Sequence, residues 1–106
     1  MIVTTSESIE GQRVVRTLGL ARGNTIRARH VGRDILAWFR SIVGGEVAEY
    51  TKLLAESREQ ALDRMVQEAE EMGANAILMA RFSTAMVMGG TAELLAYGTA
   101  VVIEAE

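Results

Sequence analysis

Six methionines and one histidine are the side chains in this sequence that could bind a soft or borderline metal ion. Met86 and Met88 stand two apart, so in a strand they would share a face. With Met79 nearby in sequence they could form a thioether cluster for Cu(I). The alternative is packing, because methionine fills core and interface gaps well. His30 follows Arg27 and Arg29 and has no second imidazole to join it. A structural or solvent-exposed role is favoured there. Arg33-Asp34 opens a candidate helix, where Asp suits the positive end of the helix dipole. Arg33 could also hold a phosphate or carboxylate through two parallel hydrogen bonds. An ion pair between subunits is preferred to either ligand reading. Arg58 falls close to an apolar stripe, and a buried arginine needs a partner; Asp34 and Glu10 are the candidates. Tyr50 and Trp38 are the large aromatics on helical segments, where core packing is favoured over ligand stacking.

Catalysis finds little support. No serine lies in Gly-x-Ser-x-Gly. The glycines form neither Gly-x-Gly-x-x-Gly nor a P-loop. Glu70-Glu71 reads as a solvated helix face. The chain has 106 residues and no cysteine, which removes thiolate nucleophiles, disulfides, Fe–S clusters and every cysteine zinc motif. A single histidine removes the two- and three-histidine metal sites. The expectation is a protein without enzymatic activity and without a cofactor.

The length fits one domain over 1–106, and the 49% hydrophobic content is that of a globular chain. No apolar run approaches the ~18–20 residues that span a bilayer, and the N-terminus lacks a signal-peptide pattern. A cytoplasmic protein without a membrane partner is expected. The formal charge is −3, split as +4 over residues 1–45 and −7 over residues 46–106. The basic half could attract an anion or nucleic acid. Its arginines are scattered and lack interleaved aromatics, so mutual neutralisation of the two halves is preferred and no nucleic acid is expected.

Elements must position these groups. Residues 2–5 form a short β-type run and 6–11 a polar loop. Residues 12–29 favour extended chain, with Gly19 and Gly23 as bulge or turn points. Simple alternation puts Val14, Arg16, Leu18, Leu20 and Arg22 on one face and Arg13, Val15, Thr17, Gly19 and Ala21 on the other. Residues 31–43 have helical spacing, ended by Gly44-Gly45. Residues 46–72 form the clearest helix, with a stripe of Val47, Tyr50, Leu54, Ala61, Met65, Ala69 and Met72, and Gly73 as its stop. At about 40 Å this helix is as long as the domain, which implies a flat fold of one helix on a small sheet. Residues 75–82 and 92–103 read as strands. The last strand is apolar on both faces, so both want burial. A homo-oligomer is inferred, with a neighbour covering the second face.

Several strings then align in order: Thr4-Thr5, Glu10-Gly11, Gly19, Gly23, Arg33-Asp34, Ile42-Val43-Gly44-Gly45, Tyr50, Arg58-Glu59, Gly73-Ala74-Asn75-Ala76 and Gly98-Thr99-Ala100-Val101. Over nearly the whole chain this set resembles the YbjQ-like family (UPF0145), labelled "putative heavy-metal-binding". The resemblance implies an α+β, two-layer β-α-β-β subunit like that of dodecin, with the long helix on a small antiparallel sheet. It implies a homopentameric ring in which a short extra strand helps assembly; residues 2–5 are the candidate. It also implies a binding or structural protein whose ligand is unassigned, the alternative being a metal-ion or small-anion binding module. Arg33, Asp34, Tyr50 and Arg58 are the candidate ligand or interface residues. Many members carry arginine where this chain has Glu46, and asparagine where it has His30.

Overall fold

The computed structural model describes residues 1–27, 46–87 and 91–106. The expected helix over 31–43 lies outside the described residues, as do His30, Arg33, Asp34, Trp38, Gly44-Gly45, Met88 and Gly89-Gly90. The elements are β1 (Ile2–Val3), β2 (Gln12–Arg27), α1 (Glu46–Glu71), β3 (Ala76–Val87) and β4 (Thr91–Ala105). Among the described residues the sheet has four strands in the order β1-β3-β4-β2. The molecule measures 57 × 27 × 18 Å, a flat two-layer body as expected.

The expected antiparallel sheet is in fact mixed. β2 and β3 both run antiparallel to β4, but β1 runs parallel to β3, pairing Ile2 with Ala76 and Val3 with Ile77. The Ile2 N–H donates to the Asn75 carbonyl and the Thr4 N–H to the Ile77 carbonyl, at 3.3 and 3.0 Å. The short first strand therefore pairs within its own sheet, at the outer edge of β3.

α1 runs antiparallel to β2 and lies over β2 and β4, scarcely touching β3. Small residues allow a close approach. Gly23 is buried, and a methyl added there would land on the Met65 amide nitrogen, the Ala61 carbonyl and the Arg64 Cβ. Gly23 is thus a contact point rather than the bulge that its sequence setting suggested. Nearby, the Thr25 hydroxyl donates to the Ser57 carbonyl at 3.5 Å, in a buried setting. The core beneath the helix consists of Ala21, Ala61, Met65, Ala69, Ile77, Ala96 and Ala100. Ala61, Met65 and Ala69 are the expected stripe. Leu54, expected to join them, is exposed. Ser57 already sits over Thr25, so the turn carrying Leu54 lies near the end of β2.

The helix ends as read from Gly73. Its φ of +92° is accessible to glycine without the Cβ penalty. The Gly73 N–H bonds the Glu70 carbonyl and the Ala74 N–H the Ala69 carbonyl, both at 3.0 Å, which is a Schellman cap. The next residue explains another string. The Asn75 side chain donates from Nδ2 to the Ile103 carbonyl at 3.0 Å and accepts from the Ile103 N–H at 2.8 Å. It acts as one more rung of the β3–β4 ladder.

Simple alternation along β2 fails. Bulges between Val14 and Arg16 and between Thr17 and Gly19 each insert a residue and shift parity. Leu18 and Ala21 consequently both pack under the helix. A third bulge, between Leu78 and Arg81 in β3, holds Met79 at φ 54°.

The second face of β4 is covered differently from expectation. After β1 the chain crosses beneath the sheet as a strap. The Ala80 N–H bonds the Thr4 carbonyl at 2.9 Å and the Met79 N–H bonds the Ser6 carbonyl at 3.0 Å. Ile9 then packs on Ala76, Leu78, Val101 and Ile103. The Glu106 N–H closes onto the Gly11 carbonyl at 3.0 Å. Val101 and Ile103 are therefore buried by their own chain rather than by a neighbour. Leu95, Tyr97 and Thr99 on the same face stay half-buried.

Two stability outcomes follow. Gly23→Ala lowers the unfolding free energy by about 1–3 kcal/mol, the usual cost of overpacking. A urea melt checks this through its midpoint; an unchanged midpoint would mean that helix and strand part freely. Asn75→Ala leaves both Ile103 backbone groups without their partner and costs about 1–3 kcal/mol. Asn75→Asp keeps the acceptor, loses the donor, and falls between Ala and wild type in the same melt.

Candidate functional site

Among the described residues, laying α1 over β2 and β4 leaves the β1/β3 side of the helix layer open. A cleft of about 190 Å³ forms there. Its floor is Ala80 and Ala96, its helix wall Leu62 and Met65, and its outer wall Val3 and Phe82. Met65 and Ala96 are fully buried, whereas Phe82 is 49% exposed at the lip. Phe82 stands opposite Ala96 in the β3–β4 ladder. That pairing of a large residue with a small one creates the step in the floor. The charged lining residue is Arg81, whose Nη1 donates to the Thr5 and Ala80 carbonyls, each at 2.9 Å. These two bonds fold the guanidinium back along the sheet edge toward the strap.

The opposite flank of α1 is polar. Arg22, Asn24, Arg64, Glu68 and Glu71 line a groove beside β2. The Arg64 Nη1 donates to the Asn24 carbonyl, and the Asn24 Nδ2 donates to Glu93 Oε2 at 3.0 Å. Two arginines face two glutamates here, so the groove has no net preference for an anion.

The candidate residues read from sequence do not converge. Arg33 and Asp34 are outside the described residues, and so is the side chain of Tyr50. Arg58 is exposed on α1 rather than buried in the stripe. Its suggested partner Glu10 follows Ile9 in the strap, on the other face of the sheet. Neutralisation between the two halves of the chain is seen in one described ion pair, Arg13 Nη2 to Glu104 Oε2 at 3.3 Å. Its side chains are 63% and 58% exposed, so it contributes little stability. Sequence reasoning did not single out Phe82, Leu62 or Arg81. The available signal was a phenylalanine, rare in this chain, in a strand otherwise rich in alanine.

Among the described residues the donor set does not make a heavy-metal centre. Among the described residues no group of three His, Asp or Glu side chains could hold an ion. Met79 and Met86 lie seven residues apart in β3, about 23 Å along the strand. Within one subunit they cannot share a thioether site. Met65 is buried beneath the helix. Among the described residues, no helix is long and apolar enough to cross a membrane.

Two sheet edges remain without a strand partner among the described residues: the outer edge of β2, and that of β3 beyond Ala80. Val14, Val15, Leu20 and Ile26 are exposed on β2, and Met79 and Phe82 on β3.

Comparison with known proteins places this architecture. A family model described as "Putative heavy-metal-binding" matches residues 1–104. A UPF0145 protein of Methanosarcina acetivorans is 56% identical over 97% of both chains. One from Pyrococcus abyssi is 57% identical over all of this chain and 92% of its own. A crystal structure from Pediococcus pentosaceus, of a protein of unknown function in the DUF74 family, matches at TM-score 0.62 over 98% of both chains. At 14% identity it shows the fold alone. With a whole-chain family match and relatives above half identity, the chain belongs to the YbjQ-like UPF0145 family.

Proposed function

We propose that the chain is the subunit of a cytoplasmic homo-oligomeric ring, a pentamer by its family resemblance, that binds a ligand rather than catalysing a reaction. The observation that supports assembly is the pair of open, partly apolar edges on opposite sides of one sheet. Long unpaired edges invite another strand, and a head-to-tail contact between two different edges closes into a ring when the rotation allows. Surface area points the same way. The subunit exposes 7101 Å², where a compact monomer of this mass exposes about 5,800 Å². Its radius of gyration is 17.3 Å, against about 13 Å for a compact chain of this length. Nucleic acid and membrane are not expected partners, because the described arginines are dispersed over both faces and edges.

Size exclusion with light scattering gives a mass of five times the 11.5 kDa chain; a stable monomer would sink the ring. Ile26→Lys places a charge on the exposed edge of β2 and shifts the assembly toward monomer. A ring unaffected by that change would exclude β2 from the contact. The second reading is the metal-ion module named by the family label. Elemental analysis of the purified assembly gives no stoichiometric heavy metal. A fixed ratio of one ion per subunit, or one per ring, would restore the label.

A further inference from the structure

We propose that the strap side of the sheet, opposite the cleft, binds a small phosphate monoester through Arg22, Tyr97 and Arg81. The inference rests on the binding-protein reading and names the ligand class. The strand register carries it. Tyr97 in β4 pairs with Arg22 in β2 on one side and with Arg81 in β3 on the other. The three residues therefore form one row across the sheet. Their common face is fixed twice. Tyr97 lies four residues before Val101, on the side of β4 that Ile9 covers farther along, while Ala96 and Ala100 take the helix side. In β2, Ala21, Gly23 and Thr25 are buried, and Arg22, Asn24 and Ile26 are exposed.

The row is cationic. Adjacent strands lie about 4.8 Å apart, so the two arginine backbones stand about 10 Å apart with the tyrosine between them. That spacing is within the combined reach of two arginine side chains, so both guanidiniums can meet over Tyr97. Arg81 is held through one nitrogen by the Thr5 and Ala80 carbonyls, which orient it without neutralising it. Among the described residues neither arginine has an ion pair, Glu7 and Glu10 of the strap included. The acidic residue of β4 on this face, Glu93, accepts from Asn24 Nδ2. It stands four residues from Tyr97, about 13 Å along the strand. Two cations and a hydroxyl suit a dianion better than a single carboxylate, which one guanidinium satisfies. A phosphate monoester carries close to two charges at neutral pH and three acceptor oxygens. The rows on either side supply carbon surface, from Leu20, 55% exposed, and the half-buried Leu95. The group esterified to the phosphate is therefore apolar.

The test titrates the full-length protein with phenyl phosphate, inorganic phosphate and benzoate at fixed ionic strength, by calorimetry and NMR shift mapping. Phenyl phosphate binds saturably, shifts Leu20, Leu95 and Tyr97, and binds roughly tenfold or more tightly than benzoate. Inorganic phosphate binds the same row more weakly. Arg22→Gln and Arg81→Gln each weaken phenyl phosphate roughly tenfold or more, and Arg22→Lys keeps part of the affinity. Arg16→Gln, nearer the start of β2, leaves binding unchanged. Far-UV circular dichroism confirms that each variant is folded. No saturable binding, equal binding of phenyl phosphate and benzoate, shifts mapping elsewhere, or an equal loss in Arg16→Gln would overturn the site. Binding to phosphatidate vesicles without binding of phenyl phosphate would also overturn it, because the row would then meet a lipid surface. Light scattering on the ligand-free sample separates the two failures. A monomer that binds phenyl phosphate keeps this site and sinks only the ring; a ring that does not bind it sinks only the site.

Discussion

The arrangement depends on how close α1 can come to β2. At Gly23 the helix backbone rests on the strand backbone, with no side chain between them. Ala21, Ala61 and Ala69 extend the same low profile to either side. A helix held this tightly to one edge of a four-stranded sheet cannot also cover the other edge. Among the described residues, the strip over β3 that it leaves uncovered, and with it the cleft of Leu62, Met65 and Phe82, follows from that approach. Bulkier residues on β2 would lift and recentre the helix, and the cleft would disappear. The approach that defines the core therefore also defines the candidate site.

Elements with an uninterrupted period were legible in the sequence. The 3.6-residue stripe through Ala61, Met65 and Ala69 located α1, and Gly73 located its end. The two-residue alternation of residues 92–103 located β4 and its two apolar faces. Period fails where one extra residue intrudes. Two bulges in β2 and one in β3 reverse parity locally, and no side chain advertises the one at Val14/Arg16. Gly19 did mark its bulge. The strap was read as polar loop, correctly, but Ile9 is a single apolar residue in it, and one residue carries no period. Its task, covering Val101 and Ile103, exists only after folding brings residues some ninety positions apart together.

The site was less legible for a related reason. Residues with evident chemistry (Met79, Met86, Arg58) turn out to be separated along a strand or exposed on a helix. The cleft is made from ordinary residues of four elements whose sequence spacing says nothing about their proximity. The family resemblance, by contrast, was fully readable, since its ordered strings mark the backbone. Gly73-Ala74-Asn75-Ala76 is a helix cap, a ladder rung and a buried alanine in succession. These strings record how the subunit is built, so sharing them with relatives identifies a scaffold without naming a ligand.

The strap also bears on the order in which the chain can fold. β1 pairs with residues near 76, and Gln12 pairs with Ala105, the penultimate residue. A ribosome releases β1 and β2 first, yet their partners β3 and β4 follow only after α1. β2, with its exposed Leu20 and Ile26, must therefore wait through synthesis as an unpaired strand. The β3–β4 pairing and α1 are local by comparison and can form as soon as they emerge. Topology thus makes β2 wait for its partner, and leaves this long, sticky strand dependent on prompt completion of β4.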